Sequence, residues 1–372
     1  MVWHVRRRLT VSDNVRPPSD TPIFLEPLRK NTMLIREQLE QREHSLLRPY
    51  ATHAAASRGR KTFEEEDPWR TAFQRDRDRI LHTKAFRRLK RKTQVFLTPQ
   101  DDHYRTRLTH TLEVSQIART IARALFINED LVAAIALGHD LGHTPFGHAG
   151  ESVLDALYGP GFKHYEQSLR AVDALEKRGD KTGLNLTAEV RDGILQHSAG
   201  KCLLYGDMPA APMTPESLVV SLSDAIAYIN HDIDDAIRAG IINEASLPAA
   251  ATKRLGTSNS ERIDAMVVGV ITGSGDGHIG IVPDTRDAMR ELREFLYNRV
   301  YPCEAIESEI RKARRVVREL YLYLLENPND DIRNGRQEDT LERRTVDFVA
   351  GMTDEYAIRL HRTLLQPRSW AL

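Results

Sequence analysis

Between Gly138 and Glu151 the chain reads Gly-His-Asp-Leu-Gly-His-Thr-Pro-Phe-Gly-His-Ala-Gly-Glu, so that three histidines, one aspartate and one glutamate fall within thirteen positions. A solvated polar face is not normally this rich in His and Gly. On a helix the adjacent His139 and Asp140 project about 100° apart, and both can still reach one ion lying between their directions. The glycines remove side-chain bulk and let backbone approach a ligand. Upstream, His110 shares a helical stripe with Val114, Ile117, Ile121 and Leu125, so it faces inward, with Arg107 one turn earlier on the same side. Downstream, Asp224, Tyr228 and Asp232 recur every fourth residue beside the apolar stripe of Leu218, Leu222, Ile226, Ile229, Ile233 and Ile237. Each feature has a plainer reading when taken alone. A single inward histidine is more often a satisfied core residue, and a carboxylate stripe more often faces water. Taken together, imidazole nitrogens and carboxylate oxygens suit Mn, Fe, Ni, Zn or, less well, Mg. His110, His139, Asp140 and Asp224 offer four ligands and leave positions open for water and a phosphate oxygen, the arrangement of metal-assisted hydrolysis.

The elements that must position these residues are helical. The periodicity predicts helices over 105–126, over 130–141 with Asn128 as its cap, and over 216–238. Pro145 is expected to end the second and turn the chain. A long helical pattern follows over 286–325, and a last helix near 347–364. Strand signals are nearly absent, which predicts an all-α fold. Residues 252–260 and 273–283 read as loops, the second holding a short strand at 278–282. The predicted organisation is an N-terminal segment 1–68, partly disordered with a short helix, a core over 69–240 centred on about 105–235, and a C-terminal helical region over 241–372. Within the first segment, residues 1–30 carry Pro17, Pro18, Pro22 and Pro27 among polar residues, and 52–68 reads as a mobile link.

Composition narrows the function classes. Of 372 residues, 41% are hydrophobic and 28% charged, as in an ordinary globular protein. Lys+Arg and Asp+Glu both number 53, so no whole-molecule attraction to nucleic acid or membrane is expected. No apolar run approaches the roughly 20 residues that span a bilayer, and the N-terminus lacks a signal-peptide core. Cys202 and Cys303 stand too far apart for a disulfide framework or a paired metal spacing. These features predict a cytoplasmic protein. A basic stretch, Arg75 to Lys92, holds nine Lys or Arg in eighteen residues, with Phe86, Leu89, Val95 and Phe96 interleaved. It reads either as a solvated helix face or as a contact for phosphate or single-stranded nucleic acid.

His110, then His139-Asp140, then Asp224 follow the H…HD…D signature of HD-domain phosphohydrolases. Arg75-Asp-Arg-Asp-Arg-Ile, Phe86-Arg-Arg-Leu, Lys92-Thr-Gln-Val-Phe, Arg105-Thr-Arg-Leu-Thr-His, the run from His139 to Glu151 and Glu166-Gln-Ser-Leu-Arg resemble the deoxyguanosine triphosphate triphosphohydrolase (dGTPase) family more closely. The resemblance covers about residues 69–238 strongly. It implies an HD-domain helical core with additional C-terminal helices, and a divalent metal ion (Mn, Mg, Fe or Ni) held by His110, His139, Asp140 and Asp224. It implies that His148 and Glu151 are the catalytic histidine and acid, that His143 stands near the phosphates and that Arg107 touches the α-phosphate. Tyr228 and Asp232 would line the sugar pocket. The implied reaction is attack of water on the α-phosphorus of a deoxynucleoside triphosphate, dGTP or another, releasing deoxynucleoside and tripolyphosphate. The resemblance also implies a homo-oligomer, hexamers included, and in some members a nucleotide effector. One departure concerns the phosphate grip. Eukaryotic relatives carry Lys directly after the metal aspartate, and Ala225 stands here. Two other readings compete: an HD phosphohydrolase acting on nucleoside monophosphates or signalling nucleotides, and a nucleic-acid or nucleotide-binding module without turnover.

Overall fold

The helices around the histidines begin on side chains that accept their first unpaired N–H groups. Thr106 caps the helix Arg107–Leu125. Asn128 caps Glu129–Gly138, accepting from the amides of Asp130 and Leu131 at 3.1 Å. Thr214 caps Pro215–Arg238, whose proline sits where a missing N–H costs nothing. The protein is seen in a computed structural model that describes residues 33–94, 105–207 and 214–367. It is all-α, and the one sheet among the described residues is a hairpin of Lys177–Arg178 with Lys181–Thr182. No helix among them is long and apolar enough to cross a membrane.

The helix Glu129–Gly138 is the hub, buried from Leu131 to Gly138 on every side, as expected of a helix that is apolar all round. Around it pack Arg107–Leu125, Ala72–Leu81, Ala188–Gln196 and Pro215–Arg238. Phe73, Ile80, Val114, Ile121, Ile135, Ile226 and Ile233 belong to this first core. A second core gathers Phe146, Leu154 and Phe162 against Val317, Leu320, Val346 and Val349 from the C-terminal helices. The turn that follows His139 therefore lies between two apolar clusters.

Several predicted boundaries move. The hub helix ends at Gly138, short of Leu141, because the His139 carbonyl accepts from Ser168 Oγ at 2.6 Å, while that hydroxyl accepts from the Gly142 amide at 2.8 Å. A Cβ on Gly142 would lie 2.1 Å from the Ser168 nitrogen, so only glycine allows this approach. The predicted loop at 252–260 is mostly helix: Ala249–Leu255, then Asn259–Gly273, with Ser258 and Glu261 forming a capping box. The loop at 273–283 is present, but a single bridge, Gly275 to His278, replaces the expected strand. The pattern over 286–325 divides into Pro283–Phe295, a π-type turn Leu296–Val300, and Glu304–Glu326, broken at Pro302, which lacks a helical N–H. The last predicted helix is the pair Leu341–Ala350 and Asp354–Leu365, with Thr353 capping the second.

The short N-terminal helix is Ile35–Leu46, whereas the reading of residues 1–30 lies outside the described residues. The segment 52–68 is bound rather than free. Thr52 donates to Glu216 through N and Oγ1 at 3.0 and 2.7 Å, Ser57 Oγ to Glu189 at 2.8 Å, and Arg60 pairs with the buried Asp76. Its polar side chains suggest a linker locally, yet Thr52, Ser57 and Lys61 each have a partner more than a hundred residues along the chain.

Lys92 ties the two cores together. It is fully enclosed, and its Nζ donates to the carbonyls of His143 and, at 3.0 Å, Ala350. Burial, then the nearby Arg88, push its pKa down to about 7 against the pull of Asp354. An unfolded lysine keeps its proton up to the ordinary 10.5. Between those pH values the unfolded chain binds more protons, so the penalty on the folded state fades as pH rises. The unfolding free energy of wild type minus that of Lys92→Met should therefore grow from pH 7 to pH 10 in urea denaturation. A flat difference would contradict this burial. Lys92→Met should also destabilise by roughly 1–3 kcal/mol for each carbonyl left unpaired.

Candidate metal centre

His139 follows directly on the last turn of its helix. Its Nδ1–H donates to the Ala136 carbonyl at 2.6 Å, which leaves the lone pair on Nε2, a buried atom with no hydrogen-bond partner among the described residues. His110 reaches the same state by a longer route. His231 Nε2–H donates to the Glu113 carboxylate, so His231 Nδ1 accepts from His110 Nδ1–H across 3.4 Å. The His110 Nε2 lone pair then faces Asp224 Oδ1 at 3.0 Å. Two acceptors at that distance require a cation between them, either a proton or a metal. Burial would push the His110 imidazole down, but the Asp224 carboxylate raises it above its ordinary value. Burial would raise Asp224, while His110 and His139 hold it at about 2. The donor atoms of His110, His139 and Asp224 lie within 4.8 Å of one another. Buried imidazole nitrogens and a carboxylate with that spacing fit a divalent metal.

Asp140 adjoins this group, with Oδ1 3.5 Å from His139 Nε2 and 3.1 Å from His143 Nε2. Its Oδ2 accepts from Arg107 Nη1 at 2.7 Å. Three of the four predicted ligands, His110, His139 and Asp224, thus fall in one set, while Asp140 borders it at His139 and groups with His164 and His197. Phe146 and Gly147 both take positive φ, 60° and 55°. A Cβ on Gly147 would lie 2.6 Å from Arg107 Nη2, so glycine there gives the guanidinium room.

His148 opens the next helix, His148–Leu157, and is largely exposed, its Nδ1 3.0 Å from Glu151 Oε2. Glu151 also accepts from His164, through Nδ1 and the backbone amide, each at 2.9 Å. Against the upward push of burial, His148 and His164 hold Glu151 far below the usual carboxylate range. His143 is buried and stacks on His164 with ring centroids 4.0 Å apart. Burial, then Arg107 and His164, push it well below an ordinary histidine.

A cavity of about 530 Å³ is lined by Arg107, His110, Asp140, His143, His148, Asp224, Tyr228 and Asp232. His139 and Glu151 stand behind Asp140 and His148. A larger cavity, about 710 Å³, lies near Arg88, Arg336 and Arg344 and holds none of these residues, so donor chemistry rather than size marks the site. The wall of the smaller cavity also includes Arg293, Tyr297, Tyr301 and Arg314, which the sequence pattern did not single out. Arg293 and Arg314 supply cations where Ala225 offers none. His164, His197, His231 and Glu113 were likewise missed. His164 lies two residues before a motif glutamate, but nothing in the local spacing links His197 to the others. Five arginines of the basic stretch have partners within the chain: Arg75 on the Glu65 carbonyl, Arg77 on Asp130, Arg79 on Glu64, Arg87 on the His82 carbonyl, and Arg91 on Glu355. Lys92 is buried, and Lys84, Arg87, Arg88 and Lys90 remain on the surface. Val95 and Phe96 lie outside the described residues.

Residues 107–229 match the HD domain family, and residues 279–363 match the phosphohydrolase-associated domain. Over 347 residues the chain is 50% identical to the "deoxyguanosinetriphosphate triphosphohydrolase-like protein" of Caldanaerobacter subterraneus subsp. tengcongensis, covering 91% of this chain and 98% of that one. It is 48% identical over 350 residues to the protein of the same name from Desulfatibacillum aliphaticivorans (90% and 99% covered). A third, from Clostridium perfringens strain 13, is 46% identical over 345 residues with the same coverage.

Asp232 is buried in the cavity wall, accepting from the Tyr301 hydroxyl through Oδ2, while its Oδ1 has no hydrogen-bond partner among the described residues. Burial pushes its pKa up to about 7, which Tyr301 opposes and Asp235 reinforces. The folded state thus holds a proton that the unfolded chain releases near pH 4, and stability contributed by this group falls as pH rises from there through 7. Asp232→Asn should raise the Tm of chelator-treated protein at pH 8 and leave it nearly unchanged at pH 4.5. An equal shift at both values would show that Asp232 is ionised throughout.

Proposed function

The chain belongs to the deoxyguanosinetriphosphate triphosphohydrolase-like family of HD-domain proteins and is a metal-dependent phosphohydrolase; we propose that it hydrolyses deoxynucleoside triphosphates to deoxynucleoside and tripolyphosphate. One observation carries this reading. A single cavity joins the His–Asp donor set to three arginines, Arg107, Arg293 and Arg314, and three tyrosines, Tyr228, Tyr297 and Tyr301. Guanidinium groups match the several oxygens of a phosphate chain by planar, multi-donor contacts. Tyrosines and the Asp232 carboxyl suit the sugar and base side. A monophosphate would not need cations on opposite parts of the wall.

The proposed ligands are His110, His139, Asp140 and Asp224, for Mn, Mg, Fe or Ni. When bound, such an ion supplies Lewis acidity toward a phosphate oxygen and water. The remaining chemistry is assigned to side chains. Arg107 is held in place by Asp140, and its free N–H groups face the cavity to stabilise charge on the α-phosphate. Water adds to the α-phosphorus, releasing one proton to bulk water, as the bond to the 5′-oxygen breaks. That oxygen leaves with the electron pair and takes a proton from His148 Nε2. Glu151 accepts from His148 Nδ1, which orients the ring. Buried His143 packs between Asp140 and His164 and shapes the phosphate side. Tyr228 and Asp232 are assigned to the sugar.

Incubation with each dNTP and Mn²⁺ or Mg²⁺, with products separated by ion exchange, should yield tripolyphosphate. Release of orthophosphate from monophosphates instead would move the protein to another class of HD substrate. His148→Ala should keep its metal yet lose on the order of a hundredfold or more in kcat, as for loss of a general acid. If the metal is lost with the ring, His148 is a ligand rather than an acid.

A further inference from the structure

We propose that Glu113 and His231 are positioning residues for the metal centre: together they hold His110 in the one tautomer that leaves Nε2 open, and so set how tightly the ion is kept. This rests on the reading of His110 and Asp224 as ligands. His139 fixes its own tautomer without help. It stands at the end of its helix, where carbonyls lack partners within the helix, and takes the one at Ala136. His110 stands in the first turn of Arg107–Leu125, where each carbonyl is taken by the amide four residues on. The His110 amide itself takes Thr106 in this way. A side chain therefore has to supply the acceptor for the His110 ring.

That side chain is His231, which is buried and lies two turns beyond Asp224 on Pro215–Arg238. Its Nδ1 stands 3.4 Å from His110 Nδ1. Two ring nitrogens form a hydrogen bond only if one carries the hydrogen and the other does not. Glu113, one turn beyond His110, decides which. Its carboxylate only accepts, so it takes the hydrogen of a neutral His231 at Nε2. His231 Nδ1 is then the acceptor and His110 Nδ1 the donor. With Glu113 removed, nothing keeps the His231 hydrogen on Nε2. It can move to Nδ1 and donate to His110, whose own hydrogen then goes to Nε2. There Asp224 Oδ1, 3.0 Å away, accepts it, and the hydrogen competes with the ion for both ligands. The relay runs from His110 across to His231 and back to Glu113, so the two helices that carry His110 and Asp224 also lock the His110 ring. Arg105 balances the carboxylate's charge. Its Nε lies 3.6 Å from Glu113 Oε2, and its Nη1 donates to Asp234 and Asp235 at 2.7 and 3.1 Å.

The rival role is a clasp that only braces the two helices. The Kd for Mn²⁺, measured on the full chain by competition with a chelator, separates the two when Tm is measured alongside. Glu113→Ala should weaken Mn²⁺ binding by roughly 10- to 100-fold, the usual effect of removing a partner of a ligating histidine. Glu113→Gln keeps an accepting oxygen for His231 and should recover most of that loss. A brace would lower Tm and leave the Kd where it was, so wild-type affinity in Glu113→Ala overturns the proposal. An equal loss in Glu113→Gln overturns it too. Should Glu113→Ala fail to fold, the second residue of the relay decides. His231→Asn places an accepting oxygen near the position of Nδ1 and should keep Mn²⁺, whereas His231→Leu, with no acceptor, should lose affinity as Glu113→Ala does. Equal Kd values for these two variants overturn the proposal. Asp224→Ala tests the ligand reading apart from the relay. It should lose Mn²⁺ outright, and wild-type affinity there would fault the ligand assignment itself.

Discussion

Imidazole lone pairs cannot be aimed at one another, or at carboxylates, inside a poorly hydrated cavity unless positive charge lies among them. That constraint organises this molecule. His110 faces Asp224, His197 faces His164, and Asp140 adjoins both groups. The rings are held by an outer layer in which each Nδ1 is already engaged. Ala136 and Ile194 supply carbonyls, Glu151 a carboxylate, and His231 with Glu113 a relay. Carbonyls in the last turn of a helix lack partners within the helix. Two helices here use a following histidine to satisfy one of them, and in doing so fix which ring nitrogen is left for a cation.

The same constraint explains the shape of the surrounding turns. Residues 139–147 must leave the hub helix immediately, because the His139 carbonyl is taken by Ser168 and the ring by Ala136. Gly142 and Gly147 allow the chain to pass close to the Ser168 backbone and the Arg107 guanidinium. Lys92 closes the turn from beneath and attaches it to the end of Leu341–Ala350. The C-terminal helices are therefore part of the site as well as a second core. Through Arg293, Tyr301 and Arg314 they line the same cavity as the histidines, and Tyr301 meets Asp232 from the Asp224 helix.

Local patterns in the sequence were enough to determine the all-α class, the helices that carry His110 and Asp224, and the cap at Asn128. Helical periodicity decides which side chains share a face, and apolar stripes decide which face turns inward, so His110 and the Asp224 stripe were readable from spacing alone. Finer boundaries were less legible. The capping box at Ser258 and Glu261 was overlooked in a stretch of small polar residues, and the break at Pro302 was absorbed into one long helical pattern.

Only the tertiary structure decided how those faces combine. His197, His231, Arg293 and Arg314 lie on segments whose local spacing carries no sign of the metal site, because what recruits them is the packing of helices far apart in the chain. The same holds for Lys92, a member of a basic stretch by composition and a buried tether by position. The tautomers of the histidines were equally beyond sequence, since a ring nitrogen takes its proton according to the one acceptor within reach. That acceptor is a carbonyl at a helix end or a carboxylate from another element, and no pattern along the chain places it there.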